Sequence, residues 1–237
     1  MKTAVVVFPG SNCDRDVQRA ISETLNTQVD MVWHTASDFP DEPDLVVLPG
    51  GFSYGDYLRS GAMAARSKIM GAVKKHAEKG KLLLGICNGF QVLTESHLLP
   101  GALIANTSLT FICDKCYMRV EQTDNMFTSS LKVGEIVQYP IAHHEGLYFL
   151  PPQDIKALED EKLVVFRYAD PATGRAGSEY APNGAINGIA GICNKRGNIL
   201  GLMPHPERAT FPQLNGGTDG AAFWKSIAKA FTERGAF

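Results

Sequence analysis

No apolar run in this chain approaches the roughly 20 residues that a membrane-spanning helix requires. Charge of one sign is lacking too. The 237 residues hold 23 Lys and Arg against 25 Asp and Glu, a formal net charge of -2. Nucleic acid or an anionic membrane surface would call for a basic excess, so neither is expected as a partner. No G-x-x-x-x-G-K-[ST] loop is present, and no G-x-G-x-x-G follows a strand pattern. A phosphate loop and a dinucleotide site are therefore not expected. Zinc normally takes four ligands, and Cys113-Asp114-Lys115-Cys116 is a single C-x-x-C without a second half. No metal is expected on this chain.

Cysteine is scarce and odd in number: Cys13, Cys87, Cys113, Cys116 and Cys193. Near the N-terminus the apolar run Ala4 to Phe8 is stopped by Pro9-Gly10. A secretion leader needs an apolar stretch of roughly 7–15 residues, so this run reads as a first strand. The expected compartment is the reducing cytoplasm, with free thiols.

What is present is ordinary globular composition, 44% hydrophobic and 20% charged. The length fits the upper end of one α/β domain or two small ones. No repeat, low-complexity tract or clear linker breaks the chain, so one domain over residues 1–237 is expected.

The first half alternates short apolar strands with amphipathic helices. Thr3–Phe8, Val29–Trp33, Asp44–Leu48 and Lys81–Ile86 read as strands. Asp14–Leu25 has helical apolar spacing, and a long helix is expected from about Leu58 to Glu78, stopped by Gly80. Another is expected over Phe90–Leu98. This rhythm implies an open, mostly parallel central sheet with helices on both faces. The second half reads as a β-rich excursion, with strands in Ala102–Val120, Val133–Ala142, Leu147–Leu150, Leu163–Tyr168, Ile186–Cys193 and Asn198–Met203. A helix over Gly220–Phe231 closes it.

The sharpest chemical signal is Gly85-Ile86-Cys87-Asn88-Gly89, set between a strand and a helix. It is the cysteine form of a nucleophile elbow. Its two glycines leave room for a tight turn, and the next helix points its amide end at Cys87, which favours an anionic sulfur. A small buried cysteine would give the same local pattern.

A thiol nucleophile needs a base and a group that orients it. Of six histidines, His76 lies in a charged helical segment and is expected to be solvated. His34 and His97 sit at element ends and read as structural. His205 stands in Met203-Pro204-His205-Pro206-Glu207, where two prolines fix the backbone and Glu207 can reach the same side. A carboxylate there would hold the imidazole in one tautomer. Pro49-Gly50-Gly51 also follows a strand, and the N–H of Gly51 or Phe52, with that of Asn88, could stabilise an oxyanion.

Together, Pro49-Gly50-Gly51, Gly85-Ile86-Cys87-Asn88-Gly89-Phe90-Gln91 and Pro204-His205-Pro206-Glu207 resemble the class I, or triad, glutamine amidotransferases. Within that family, Phe8-Pro9-Gly10-Ser11-Asn12-Cys13-Asp14 and Gly51-Phe52-Ser53-Tyr54-Gly55-Asp56-Tyr57-Leu58-Arg59 are similar to the glutaminase subunits of phosphoribosylformylglycinamidine synthase. The resemblance implies Cys87 as nucleophile, His205 as base and acid, and Glu207 as its orienting carboxylate. It implies oxyanion amides at Gly51 and Asn88, and a glutamine pocket touched by Gln91 and His143. Relatives usually carry a small residue where this chain has His144, so either histidine could face the pocket.

The resemblance also implies L-glutamine as substrate and no cofactor on this chain. ATP and magnesium would belong to a PurL-type synthetase subunit that converts formylglycinamide ribonucleotide to the amidine, with a small PurS-type subunit as bridge. Other cysteine hydrolases share such an elbow but lack the late Pro-His-Pro-Glu block. A non-catalytic scaffold would have lost Cys87, His205 or Glu207.

Overall fold

The computed structural model describes residues 1–214 and 216–234. Its first strands are short and buried on both faces: β1 (Thr3–Val7), β3 (Leu45–Leu48) and β4 (Leu82–Ile86). Runs of this kind belong inside a helix-covered sheet. With β2 (Val29–Trp33) and β11 (Ile199–Leu202) they form the parallel part, in the order β2-β1-β3-β4-β11. The same nine-stranded sheet continues antiparallel through β10 (Ile189–Cys193), β9 (Val164–Tyr168), β6 (Ile112–Val120) and β7 (Ile136–His143). The β-rich excursion thus extends the central sheet. Among the described residues, only the strands β5 (Ala102–Ile104) and β8 (Leu147–Phe149) pair apart from it.

Helix α1 (Asp14–Leu25) buries Val17, Ala20 and Ile21, and carries Asp14 and Asp16 in its first turn, where the helix dipole favours acid. α3 (Asn88–Glu95) is buried along nearly its whole length. α5 (Asp219–Arg234) seats Phe223, Trp224 and Ile227 in the core. Among the described residues, no helix is long and apolar enough to cross a membrane.

Two segments depart from the periodicity. The expected helix from Leu58 shrinks to α2 (Met70–Glu78). Leu58 and Gly61 have positive φ, the Ser60 amide is drawn to Glu145, and a Cβ on Gly61 would lie 2.7 Å from the Val92 nitrogen. Tertiary contacts with α3 therefore override a helical pattern. Conversely, α4 (Pro152–Asp160) forms within the excursion, started by proline in its first turn, with only Ile155 and Leu158 buried. Two apolar anchors in a charged nonapeptide gave little periodicity to read.

The sheet register explains the glycines. Leu48 pairs with Gly85, and Gly85 with Gly201, making one row across three strands. A Cβ on Gly85 would sit 2.6 Å from the Gly89 oxygen, and one on Gly201 would strike the Phe90 ring. A Cβ on Gly89 would overlap the Leu48 carbonyl. This row lets α3 settle onto the sheet. Gly89→Ala should therefore lose about 2–5 kcal/mol of stability, against a neutral or slightly favourable Gly71→Ala in α2, where a Cβ meets nothing within 4 Å. Urea denaturation of both variants checks this; equal effects would refute the packing argument.

Candidate active site

The ends of β3, β4 and β11 lie side by side, and each delivers one part of the site. Cys87 stands between β4 and α3 with φ 50 and ψ -106, a strained conformation for a residue with a side chain. Its N–H donates to the Leu202 carbonyl at 2.8 Å, which ties the turn to β11. The sulfur lies 3.7 Å from the Ala142 carbonyl and is almost enclosed.

His205 follows β11 and is buried, as is Glu207. The His205 N–H bonds the Pro140 carbonyl at 2.8 Å, and Nδ1 lies 2.6 Å from Glu207 Oε1. Pro206–Ala209 forms a tight helical turn that brings the carboxylate back beneath the ring. Nδ1 is thus occupied and Nε2 has no partner, the disposition a base needs. Burial by itself would lower the His205 pKa. The Glu207 carboxylate, then the Cys87 sulfur, outweigh it and hold His205 well above the ordinary range. The start of α5 braces this loop: a Cβ on Gly220 would overlap the Pro206 carbonyl, and Trp224 donates to Thr210, which bonds Pro206.

Gly50 and Gly51 close the site from the β3 side. A Cβ on Gly50 would come 2.7 Å from His205 Cε1 and 3.4 Å from Cys87 Cβ. The Phe52 amide is already bonded to the Gly10 carbonyl at 2.9 Å, so of the two amides considered Gly51 is the available one. Asn88 opens α3, where a backbone N–H has no intrahelical acceptor. Its side chain donates to Gln91 Oε1 at 2.8 Å and to Asp56 Oδ1 at 3.3 Å, and accepts from the Ser53 amide at 3.2 Å. Gln91 is buried with both ends of its amide engaged, its nitrogen donating to the Glu145 carbonyl at 2.6 Å. These bonds tie α3 to the turn after β7. At the end of β7 His143 turns inward and His144 outward, toward the Leu109 carbonyl. Burial, reinforced by His205, pushes His143 down to about 4, so its ring is neutral near pH 7.

Two outcomes differ from the sequence reading. His76 is buried, with Nε2 donating to the Leu82 carbonyl at 2.8 Å; its neighbours Lys74, Lys75 and Lys79 hid an inward face. Cys13 went unremarked as a site residue. Its sulfur lies within 4.8 Å of ring and carboxylate atoms of His205 and Glu207, and accepts from Arg208 at 3.1 Å. A cation held by these three side chains would face that guanidinium and would have to displace the His205–Glu207 bond. The set works instead as a hydrogen-bonded brace. The C-x-x-C pair is split: Cys113 is exposed, while Cys116 is buried against the Tyr139 carbonyl.

A strained elbow thiol, a buried imidazole with one nitrogen free, and two unengaged amides form a site for thiol-dependent acyl transfer. The chain belongs to the family of CobB/CobQ-like glutamine amidotransferase domains, whose profile matches residues 1–229. It is 52% identical over 227 residues to phosphoribosylformylglycinamidine synthase subunit PurQ of Gloeobacter violaceus, covering 96% of this chain and 97% of that one. It is 50% identical to the PurQ subunit of Acaryochloris marina over 99% of both chains. The structure of PurLQS from Thermotoga maritima superposes with a TM-score of 0.82 at 43% identity, covering 96% of this chain and 97% of that one. The glutaminase domain of Trypanosoma brucei CTPS, at 14% identity and a TM-score of 0.59, shares the fold.

Burial raises the thiol pKa of Cys13 and Cys116, and pushes Cys193 up to about 11. A glutamine-like electrophile should accordingly leave one adduct, on Cys87. Peptide mass spectrometry that placed it on another cysteine would sink the assignment. His205→Ala should lower glutamine hydrolysis by about 10²–10⁴-fold, because both proton transfers are lost. Glu207→Ala should cost less, since the carboxylate orients the ring. A steady-state comparison in which Glu207→Ala is the worse variant would reverse the two roles.

Proposed function

We propose that this chain is the glutaminase subunit of a phosphoribosylformylglycinamidine synthase, one domain that hydrolyses L-glutamine and passes ammonia to a partner. The observation that carries this reading is the Cys87 elbow facing the buried His205–Glu207 pair at the ends of neighbouring strands. Identity of about half to PurQ subunits along nearly the whole chain supports the particular reaction.

The Cys87 sulfur attacks the side-chain amide carbon, and the oxygen charge that develops is met by the N–H groups of Gly51 and Asn88. The carbon–nitrogen bond breaks as His205 gives its proton to the nitrogen, releasing ammonia and leaving a glutamyl thioester. His205 then takes a proton from water, whose oxygen attacks the thioester. The carbon–sulfur bond breaks and glutamate leaves. Glu207 holds the ring through both transfers.

Under this reading the chain uses no cofactor of its own. ATP and magnesium are used by a PurL-type subunit, with a PurS-type subunit completing the assembly in the cytoplasm. Glutaminase turnover should rise when the partners, nucleotide and acceptor are added, by a shift toward the competent site.

The deciding experiment reconstitutes the assembly with Cys87→Ala and compares nitrogen donors. Amidine synthesis from glutamine should be abolished, and synthesis from ammonium salt kept. Loss of both in a fully assembled complex would mean that this chain does more than supply ammonia.

A further inference from the structure

The carboxylate that orients His205 is only half engaged. Glu207 is buried; its Oε1 takes the His205 bond, and its Oε2 has no partner among the described residues. A buried acceptor left unmatched is uncommon and needs a reason. Arg208 is the next residue of the same helical turn, and the charge of Glu207 acts on it. Its guanidinium is bonded to α1 instead. Nε donates to Asp16 Oδ2 at 3.0 Å, and Nη2 donates to Cys13 Sγ at 3.1 Å.

Both acceptors belong to one face of α1. Cys13 caps the helix, Asp16 lies three residues on, and Arg19, three further, holds its guanidinium 4.9 Å from the centre of the Phe211 ring. That spacing keeps side chains of successive turns on the same side. The face therefore grips the segment that follows His205 and Glu207. A capping side chain usually bonds the amides of its own helix, and Cys13 makes no such bond. Burial raises its pKa, so the thiol stays neutral. A neutral sulfur can accept from Arg208 while its S–H is directed to Asn12 Oδ1, 3.7 Å away. Its place is fixed as well. The Cys13 amide donates to the Gly50 carbonyl at 3.3 Å, and a Cβ on Gly50 would lie 3.2 Å from the Cys13 sulfur and 2.7 Å from His205 Cε1. Sulfur and imidazole thus share the space over Gly50.

We propose that Cys13 and Asp16 are positioning residues for glutamine hydrolysis: by engaging Arg208 they keep its guanidinium off Glu207, so that the whole carboxylate charge serves His205. The inference rests on the glutaminase reading above. Guanidinium and carboxylate groups pair strongly, often through two bonds. If α1 released Arg208, the unpartnered Oε2 of Glu207 would be its acceptor, and two cations would share one carboxylate. The imidazolium that gives its proton to the departing nitrogen would then be less stable. The titratable groups that act on His205 are Glu207 on its own turn, Cys87 on the elbow, Cys13 on α1, His143 on β7 and Cys116 on β6. Replacing Cys13 by an uncharged residue adds no charge to this set, so its effect reads the placement of Arg208.

The test follows kcat/KM for glutamine against pH in the assembly reconstituted with the synthetase. The profile falls at high pH as the free site loses the imidazolium proton. Glu207 holds the His205 pKa up, so weakening its grip should move that falling limb to lower pH. Cys13→Ala and Asp16→Asn should each move it down by about one pH unit and lower kcat by about 3- to 10-fold, with KM for glutamine changed by less than about two-fold. Cys13→Ser keeps an acceptor for Arg208 and should retain the wild-type limb. Adding Arg208→Gln to Cys13→Ala should bring the limb back, which repair of a merely structural defect would not explain. A limb unmoved in both Cys13→Ala and Asp16→Asn, a Cys13→Ser variant that behaves as Cys13→Ala does, or no recovery with Arg208→Gln would overturn the proposal. A wild-type assembly that hydrolyses no glutamine at any pH would overturn the glutaminase reading itself, and this one with it.

Discussion

The structure depends on holding one side-chain-bearing residue, Cys87, in a backbone conformation it would not choose. Its φ of 50 and ψ of -106 are worth about 1–3 kcal/mol of strain, which the surroundings must over-determine. They do so by close packing. Gly85 and Gly201 clear a row of the sheet, Gly89 lets α3 descend onto Leu48, and the Cys87 amide is pinned to β11. Because β3, β4 and β11 are adjacent and parallel, this one constraint fixes the distance from nucleophile to base and from nucleophile to the Gly51 amide. Parallel strands point their C-terminal ends the same way, so three separate loops share one crevice.

Around that thiol the charges are sorted by burial. His205 and Glu207 are both enclosed, and their ion pair is tolerated because the hydrogen bond is short and the His205 backbone is held by the Pro140 carbonyl. Arg208 commits its guanidinium to Cys13 and to Asp16 on α1. His143 stays neutral, so no second positive charge competes with the imidazolium beside the sulfur. Asp56, bonded to Asn88, and Glu145, whose carbonyl is bonded to Gln91, are half-buried, so some solvent reaches them.

How much of this could be read in advance follows from where each constraint is written. The elbow, the Gly50-Gly51 turn and the Pro204–Glu207 block are local, each within a few residues, so composition and spacing expose them. The parallel half was legible for a similar reason: Leu45–Leu48 and Leu82–Ile86 are continuous apolar runs bounded by glycine or a turn. The Leu58–Ile69 segment was not, because its helical spacing is real but its partners are Glu145, His34 and α3, distant in sequence. Cys13 looked like one scarce thiol among five; its meaning comes from Arg208, 195 residues away. The bond from Gln91 to the Glu145 carbonyl, likewise, joins residues 54 apart in sequence.

Asn88 connects the two halves of the chemistry. In the proposed reaction its backbone N–H meets the charge on the amide oxygen, while its carboxamide is bonded to Asp56, Gln91 and Ser53. The same residue opens α3 next to the sulfur. Presenting that amide and tying the neighbouring turns together are then not separate demands on the fold. They meet in one residue, which is held because Gly89 and Phe90 behind it are packed against Leu48 and Gly201. A flexible Asn88 could serve either task, but not both in one geometry.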